Sequence, residues 1–126
     1  MTYTDRQLTA VCAQLVHRLY NNTCAYPGCS VTGETVQVAH ILGKGAYAHW
    51  RFSICNQLPL CHHHHSWYDG RCGSKLQHLA QRELRGAHGF LFAECDKLKR
   101  ITPEPWTPAA KRAHLQQLKQ ALEDAQ

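Results

Sequence analysis

Two pairs of zinc-type ligands, far apart along the chain, constrain its fold more than any other feature of the sequence. Cys24 and Cys29 have four residues between them across a Pro-Gly turn, and Cys61 and His64 have two residues between them. Each spacing lets both side chains reach one tetrahedral zinc ion. A site that uses all four ligands leaves no coordination position for water, which is typical of structural rather than catalytic zinc. The sequence therefore predicts a structural zinc ion that joins the two pairs.

The remaining cysteines leave other interpretations open. Seven cysteines without a secretory signal are more typical of a metal-binding chain than of a disulfide-bonded one. The cysteines of the two pairs could instead be reduced core residues, because free cysteine is commonly buried. We interpret Cys12 and Cys95, which lie on apolar helix faces, as packing residues. Cys55 and Cys72 remain alternative zinc ligands.

Composition limits the protein to a few classes. Its 126 residues suit one domain with a modest core. The sequence has no apolar run of about 18 residues that could cross a membrane and no signal-peptide pattern at its start, so we expect a soluble, cytoplasmic protein. The formal net charge of +5 favours polyanionic partners such as nucleic acid.

Hydrophobic periodicity predicts an α+β chain organised as a single domain over residues 1–126. The predicted elements are a helix over 5–20 begun by a capping box at Thr4 and Gln7, a strand over 35–41, a short helix over 61–69, and C-terminal helices begun near Ser74, Phe90 and Pro108. Thr107 can cap the last of these, with Pro108 at its first position. We divide the domain into an N-terminal helix (1–23), a zinc-containing core (24–70) and a helical C-terminal extension (71–126).

The run of four histidines ends close to an acidic residue, and this indicates a second metal site. His65 and Asp69 have the spacing that places two side chains on one face of a helix. An imidazole and a carboxylate so placed can share a divalent cation and leave positions for water and a phosphate oxygen. Because imidazole titrates near neutral pH, His40 at the end of the predicted strand could take a proton from water. Taken alone, each of these residues is more often structural or on the surface.

Taken in order, these motifs resemble the HNH nucleases, also called ββα-metal or His-Me finger endonucleases, with an embedded zinc site. The order is Cys24-x4-Cys29, then Val38-Ala39-His40-Ile41, then Asn56, then Cys61-x2-His64-His65, over residues 24–69. Within the family, Gly43-Lys44-Gly45-Ala46 with Arg51-Phe52 and Asn56 is similar to phage recombination nucleases of the NinG/Rap type. Gln57-Leu58-Pro59-Leu60-Cys61 with His64-His65 is similar to phage nucleases of the Ref type. The resemblance implies a small ββα-metal core with a zinc knuckle, flanked by an N-terminal helix and C-terminal helices.

The resemblance also implies a role for each matched residue. His40 would be the general base, and Asn56 would hold the loop that orients it. His65 would bind the catalytic metal, Mg²⁺ or Mn²⁺, with Asp69 as the second ligand on the same helix. Arg51 would contact a phosphate or the transition state, because a guanidinium fits phosphate oxygens, although an ordinary surface charge explains it equally well.

The chain departs from the family at Ala39, where many HNH enzymes have Asp or His as a metal ligand. Alanine cannot coordinate, so only His65 and Asp69 remain, a number compatible with a Mg²⁺ that keeps several waters. Four adjacent histidines also leave the register open, since the first two could exchange roles with their neighbours. The Cys61-x2-His64 spacing favours the register used above.

The function implied by the resemblance is a divalent-metal-dependent endonuclease that hydrolyses DNA phosphodiesters, in phage biology or recombination, in the cytoplasm of a bacterial or phage-infected cell. Its partner would be duplex, branched or single-stranded DNA, recognised by shape rather than by strict sequence. A homodimer or a recombination-protein partner is left open, and no membrane partner is expected. Two other classes remain: a catalytically inactive zinc-containing DNA-binding module, which Ala39 favours, and a zinc-dependent protein-interaction module that docks through its C-terminal helices.

Overall fold

The structure, a computed structural model, describes residues 1–125 and has an α+β fold. In chain order its elements are α1 (Tyr3–Leu19), β1 (Val36–His40), two short 3₁₀ helices (Ala48–Phe52 and Ile54–Asn56), β2 (Gln57–Cys61), α2 (His62–Tyr68), α3 (Ser74–Ala87), α4 (Gly89–Leu98) and α5 (Pro108–Asp124). The two strands form an antiparallel pair in which Val36 lies opposite Cys61 and His40 lies opposite Gln57. In the described part of the chain, we find no helix with both the length and the apolar character needed to cross a membrane.

The first helix begins earlier than predicted, and its cap is Thr2 rather than Thr4. The Thr2 hydroxyl accepts a hydrogen bond from the Asp5 N–H, and the Asp5 carboxylate accepts one from the Thr2 N–H, each 3.1 Å long. Thr4 and Gln7 have the same spacing, so the pattern alone could not choose between the two starts. The earlier start places Asp5 in the first turn, where a negative charge interacts favourably with the helix dipole.

Later elements lie close to their predicted positions. Thr107 caps α5 by accepting a hydrogen bond from the Ala110 N–H, as predicted, with Pro108 in the first turn. The sequence suggests Ser74 as the cap of α3, but Ser74 is the first residue of the helix and Gly73 occupies the cap position. Gly73 has a φ of 100°, a conformation that glycine adopts without steric cost.

The core has two parts, one on each face of the strand pair. On one face, Ala39, Leu58 and Leu60 pack against Leu84 of α3 and Phe92 of α4. The second part joins α1 to α5, and its buried residues are Leu8, Cys12, Leu15, Phe52, Leu115 and Leu118. The last helix therefore packs against the first helix, although the two are at opposite ends of the chain. Cys12 and Cys95 are buried, which confirms their interpretation as packing residues.

A buried carboxylate connects α1, α5 and the first 3₁₀ helix. Asp5, only 6% exposed, lies 2.8 Å from the Lys111 ammonium and 3.9 Å from the Arg51 guanidinium. The hydrogen bond from Lys111 lowers the pKa of Asp5 to about 2, so the carboxylate is ionised at neutral pH. This interaction holds the segment that carries Arg51 beside the N-terminal helix.

Candidate metal centre and candidate active-site residues

The fold brings the four predicted zinc ligands together. The sulfur atoms of Cys24, Cys29 and Cys61 and a ring nitrogen of His64 all lie within 4.8 Å of one another. His64 Nδ1 is 3.6 Å from Cys24 Sγ and 3.2 Å from Cys61 Sγ. Ligands 2.0–2.3 Å from a tetrahedral zinc are about 3.5–3.8 Å apart, so these separations are close to those of a loaded site. The four side chains could hold a zinc ion.

Backbone hydrogen bonds fix the turn that carries the first two ligands. The Ala25 N–H donates to the Pro59 carbonyl over 2.8 Å, on the edge of β2 that faces away from β1. Pro59 therefore removes no hydrogen bond from the strand pair, because its missing N–H would also face that edge. The Cys29 N–H donates to the Tyr26 carbonyl over 3.0 Å, and Gly28 supplies the positive φ of 80° that the turn requires.

Aromatic side chains hold the histidine ligand in place. The Tyr26 ring stacks on the His64 ring, with 3.9 Å between centroids and 5° between planes. Trp67 meets the His64 ring edge-on at 4.9 Å. These contacts fix the ring orientation, and with it the direction of Nδ1 toward the sulfur atoms.

The electrostatics of the cluster suit a cation. Burial raises the pKa of the Cys24 thiol to about 12, so a thiolate at this position requires a positive charge beside it. Burial, with the charge of His63, lowers the pKa of His64 and keeps the imidazole neutral, the form that binds metal. The alternative ligands Cys55 and Cys72 are not members of the cluster. One neutral imidazole and three thiols around one point are the donor set of a structural zinc site.

The chain segment that precedes β2 holds the neutral His40 ring in one tautomer. Its Nε2 lies 3.0 Å from the Arg51 carbonyl oxygen, which can only accept, so Nε2 carries the proton and Nδ1 has the free lone pair. The Gln57 side chain, opposite His40 in the strand pair, donates to the same carbonyl over 2.9 Å. Burial lowers the pKa of His40; the hydrogen bond to Arg51 opposes this shift, and the charge of Lys44 adds to it. The imidazole is therefore neutral at physiological pH.

Asn56 ties both ends of the loop between β1 and the 3₁₀ helices. It is fully buried, and its side-chain oxygen accepts a 2.6 Å hydrogen bond from the Leu42 N–H. Its side-chain nitrogen donates to the carbonyls of Leu42 and Trp50, each over 3.2 Å. The loop that these bonds hold leads to Arg51, whose carbonyl orients His40.

Replacement of Asn56 by alanine is expected to lower the free energy of unfolding by about 2–4 kcal/mol, because it leaves buried loop N–H and C=O groups unpaired. Urea unfolding followed by circular dichroism measures this loss. Gln14→Ala, which removes an exposed amide from α1, is the control and should change stability by less than about 0.5 kcal/mol. A similar small effect for Asn56→Ala would contradict this role.

His65 and Asp69 are in direct contact on α2 and its C-terminal end. His65 Nδ1 lies 2.7 Å from the Gln37 side-chain oxygen, so Nδ1 carries a proton and Nε2 has the lone pair. Nε2 lies 3.3 Å from an Asp69 carboxylate oxygen. Asp69 Oδ2 also accepts a 3.2 Å hydrogen bond from the Arg71 guanidinium, and a proton or a metal ion between His65 Nε2 and Oδ2 would stabilise these two facing acceptors further. Burial lowers the pKa of His65 even though Asp69 raises it, which disfavours the proton. The pair could therefore hold a cation.

The structure does not join His40 directly to the His65–Asp69 pair. Within residues 1–125, no hydrogen bond or ion pair connects them, and Gln37, the partner of His65, projects from the opposite face of β1. The two sites interact electrostatically, since the charge of His65 adds to burial in lowering the pKa of His40.

Ala39 occupies a core position. It is 2% exposed and belongs to the cluster with Leu58 and Leu84. A carboxylate or imidazole at position 39 would enter the core, so this strand contributes no metal ligand there.

Arg51 is partly exposed, 3.9 Å from Asp5, and therefore retains donors that can reach a ligand.

Sequence reasoning missed four residues that support these sites. Their roles are to orient ligands and the candidate base, and they are Tyr26, Gln37, Gln57 and Trp67. Each lies within three residues of a predicted site residue along the chain, but that proximity does not indicate a contact partner.

No protein-family model, curated protein or solved structure matches this chain.

Proposed function

We propose that this protein is a divalent-metal-dependent endonuclease of the HNH type, in which β1, β2 and α2 form a ββα-metal core. The observation that carries the proposal is the tautomer of His40. Its Nε2–H donates to the Arg51 carbonyl, which leaves Nδ1 free to accept a proton from water. The facing acceptors of His65 and Asp69 support a second, catalytic cation.

The structural zinc would position this second site. Cys24 and Cys29 would be joined through the ion to Cys61 and His64, at the start of α2. His65 directly follows His64, so the zinc would set where the His65 ring lies. This arrangement gives the zinc a role in active-site geometry as well as in stability.

In the proposed reaction, His40 Nδ1 takes a proton from water, whose oxygen attacks the phosphorus. The bond between phosphorus and the 3′ oxygen breaks, leaving a 5′ phosphate and a 3′ hydroxyl that takes its proton from solvent. Arg51 and Lys44 bind phosphate oxygens through charge-assisted hydrogen bonds. Mg²⁺ or Mn²⁺, held by His65 and Asp69, would supply neutralisation of the charge that develops at the phosphate.

Nicking of supercoiled plasmid tests the proposal. The zinc-loaded protein is expected to produce nicked circles with 5′ phosphates when Mg²⁺ or Mn²⁺ is added, and none without it. His65→Ala should lower the rate by about 100-fold or more, since it removes a metal ligand. His63→Ala, an exposed histidine on the same helix, is the control and should cleave at the wild-type rate.

A second candidate is a zinc-containing DNA-binding module without catalysis. The absence of a direct contact between His40 and the His65–Asp69 pair in the described chain, together with the buried Ala39, favours this reading. Salt-sensitive DNA binding with no cleavage in any divalent ion would support it and would contradict the nuclease.

A further inference from the structure

A cavity of 390 Å³ opens beside His40, between α1 and the face of the strand pair opposite to Ala39. Its wall is apolar and includes Ala13, Val38 and Phe52, and its polar side includes His40, Lys44 and Arg51. None of the residues that line it is acidic. An apolar recess with cations on one side suits an anion with a flat apolar body.

The size and charge of the cavity match one nucleotide. Its volume is within the range of sites that bind small ligands. Arg51 and Lys44 can bind a phosphate, and the apolar wall can contact a base. Asp5 lies 3.9 Å from Arg51 but is engaged by Lys111 at 2.8 Å, so it cancels only part of the charge at this side of the cavity.

The cavity lies where it could receive the base next to the phosphate that is attacked. Because His40 forms part of its wall, a nucleotide whose phosphate lies at His40 can place its base between Val38 and Ala13. A base within a duplex is stacked and paired, and cannot enter. The energetic cost of moving a base out of the stack is lowest where the base is already unpaired.

We propose that this cavity binds one unstacked nucleotide beside the phosphate at His40, and that the preferred substrate is single-stranded or locally unpaired DNA. The substrate preference rests on the proposed nuclease function. Nucleotide binding by the cavity does not, and it can be measured separately.

Calorimetric titration of the zinc-loaded protein, without added Mg²⁺, tests binding. Thymidine 5′-monophosphate should bind at least about tenfold more tightly than thymidine or inorganic phosphate, because only it uses both sides of the cavity. Ala13→Leu fills the recess and should weaken nucleotide binding about tenfold or more. Ala10→Leu makes the same change at an exposed position of α1 and should have no effect.

A second variant tests the nucleotide site even if Ala13→Leu does not fold. Lys44 is exposed, so Lys44→Met should fold normally and weaken binding of the nucleotide but not of thymidine. Lys75→Met, at an exposed position outside the cavity, is its matched control. Equal nucleotide affinity in wild type, Ala13→Leu and Lys44→Met would overturn the proposal.

Cleavage rates test the substrate preference. Wild type should cut a single-stranded oligonucleotide at least about tenfold faster than the same sequence as a duplex, and Ala13→Leu should lose this preference. Equal rates on both substrates would overturn it. Nucleotide binding that depends on Ala13, in a protein that cleaves nothing, would support the nucleotide site and contradict the nuclease function. Duplex cleavage without nucleotide binding would support the nuclease function and contradict the nucleotide site.

Discussion

Cys24→Ser is expected to abolish zinc binding and to unfold the core around the strand pair. The Cys24 side chain is 4% exposed and lies within 4.8 Å of the other three donors, and a serine hydroxyl is a poor zinc ligand at neutral pH. Structural zinc contributes roughly 10 kcal/mol in small domains, so the free energy of unfolding should fall by more than about 5 kcal/mol. Zinc content measured by mass spectrometry should drop from about one ion per chain to nearly none.

An exposed cysteine provides the control for this change. Cys72→Ser makes the same substitution outside the cluster and should retain zinc and stability. If Cys24→Ser retained about one zinc ion per chain and wild-type stability, the four side chains would not be the zinc site.

His40→Ala is expected to reduce metal-dependent cleavage by about 10²–10⁴-fold, the usual contribution of a general base. The variant should bind DNA and zinc as wild type does, since His40 is not one of the four clustered donors. Added imidazole should restore part of the rate, an effect that a purely structural histidine would not produce. His78→Ala, at an exposed position of α3, should cleave at the wild-type rate. Cleavage by His40→Ala within a few fold of wild type would exclude His40 as the base.

The pH dependence of cleavage follows from the state of His40. A general base acts in its neutral form, and burial lowers the pKa of His40 from the ordinary 6.5. As the pH falls, the cleavage rate should therefore stay level through 6.5 and decline only below it. Initial rates across a pH series, at saturating Mg²⁺, measure this. A decline centred above 6.5 would contradict the neutral, buried imidazole.

The strand pair illustrates a limit of pattern analysis. β1 lies within the predicted strand, because its β-branched run is typical of strands. The pattern of the segment that forms β2 does not predict a strand, because Pro59 disfavours one and the residues, all of them buried, do not alternate between apolar and polar. Pro59 is accommodated because its carbonyl pairs with Ala25 at the outer edge. That partner lies far away in the sequence, so local pattern could not reveal it.

The sequence by itself determined two candidate zinc-ligand pairs and the i, i+4 spacing of His65 and Asp69, because spacing along a turn or helix limits which side chains can share an ion. The structure was needed to place Cys55 and Cys72 outside the cluster. Only the tertiary structure decided that Arg51 presents its carbonyl to His40, that Gln37 orients His65, and that α1 packs on α5 beside a cavity. The packing that brings these groups together arises from burial of apolar surface, which is non-directional and has no signature in local spacing. The sequence therefore indicates which chemical groups are available, and the fold determines how those groups are arranged.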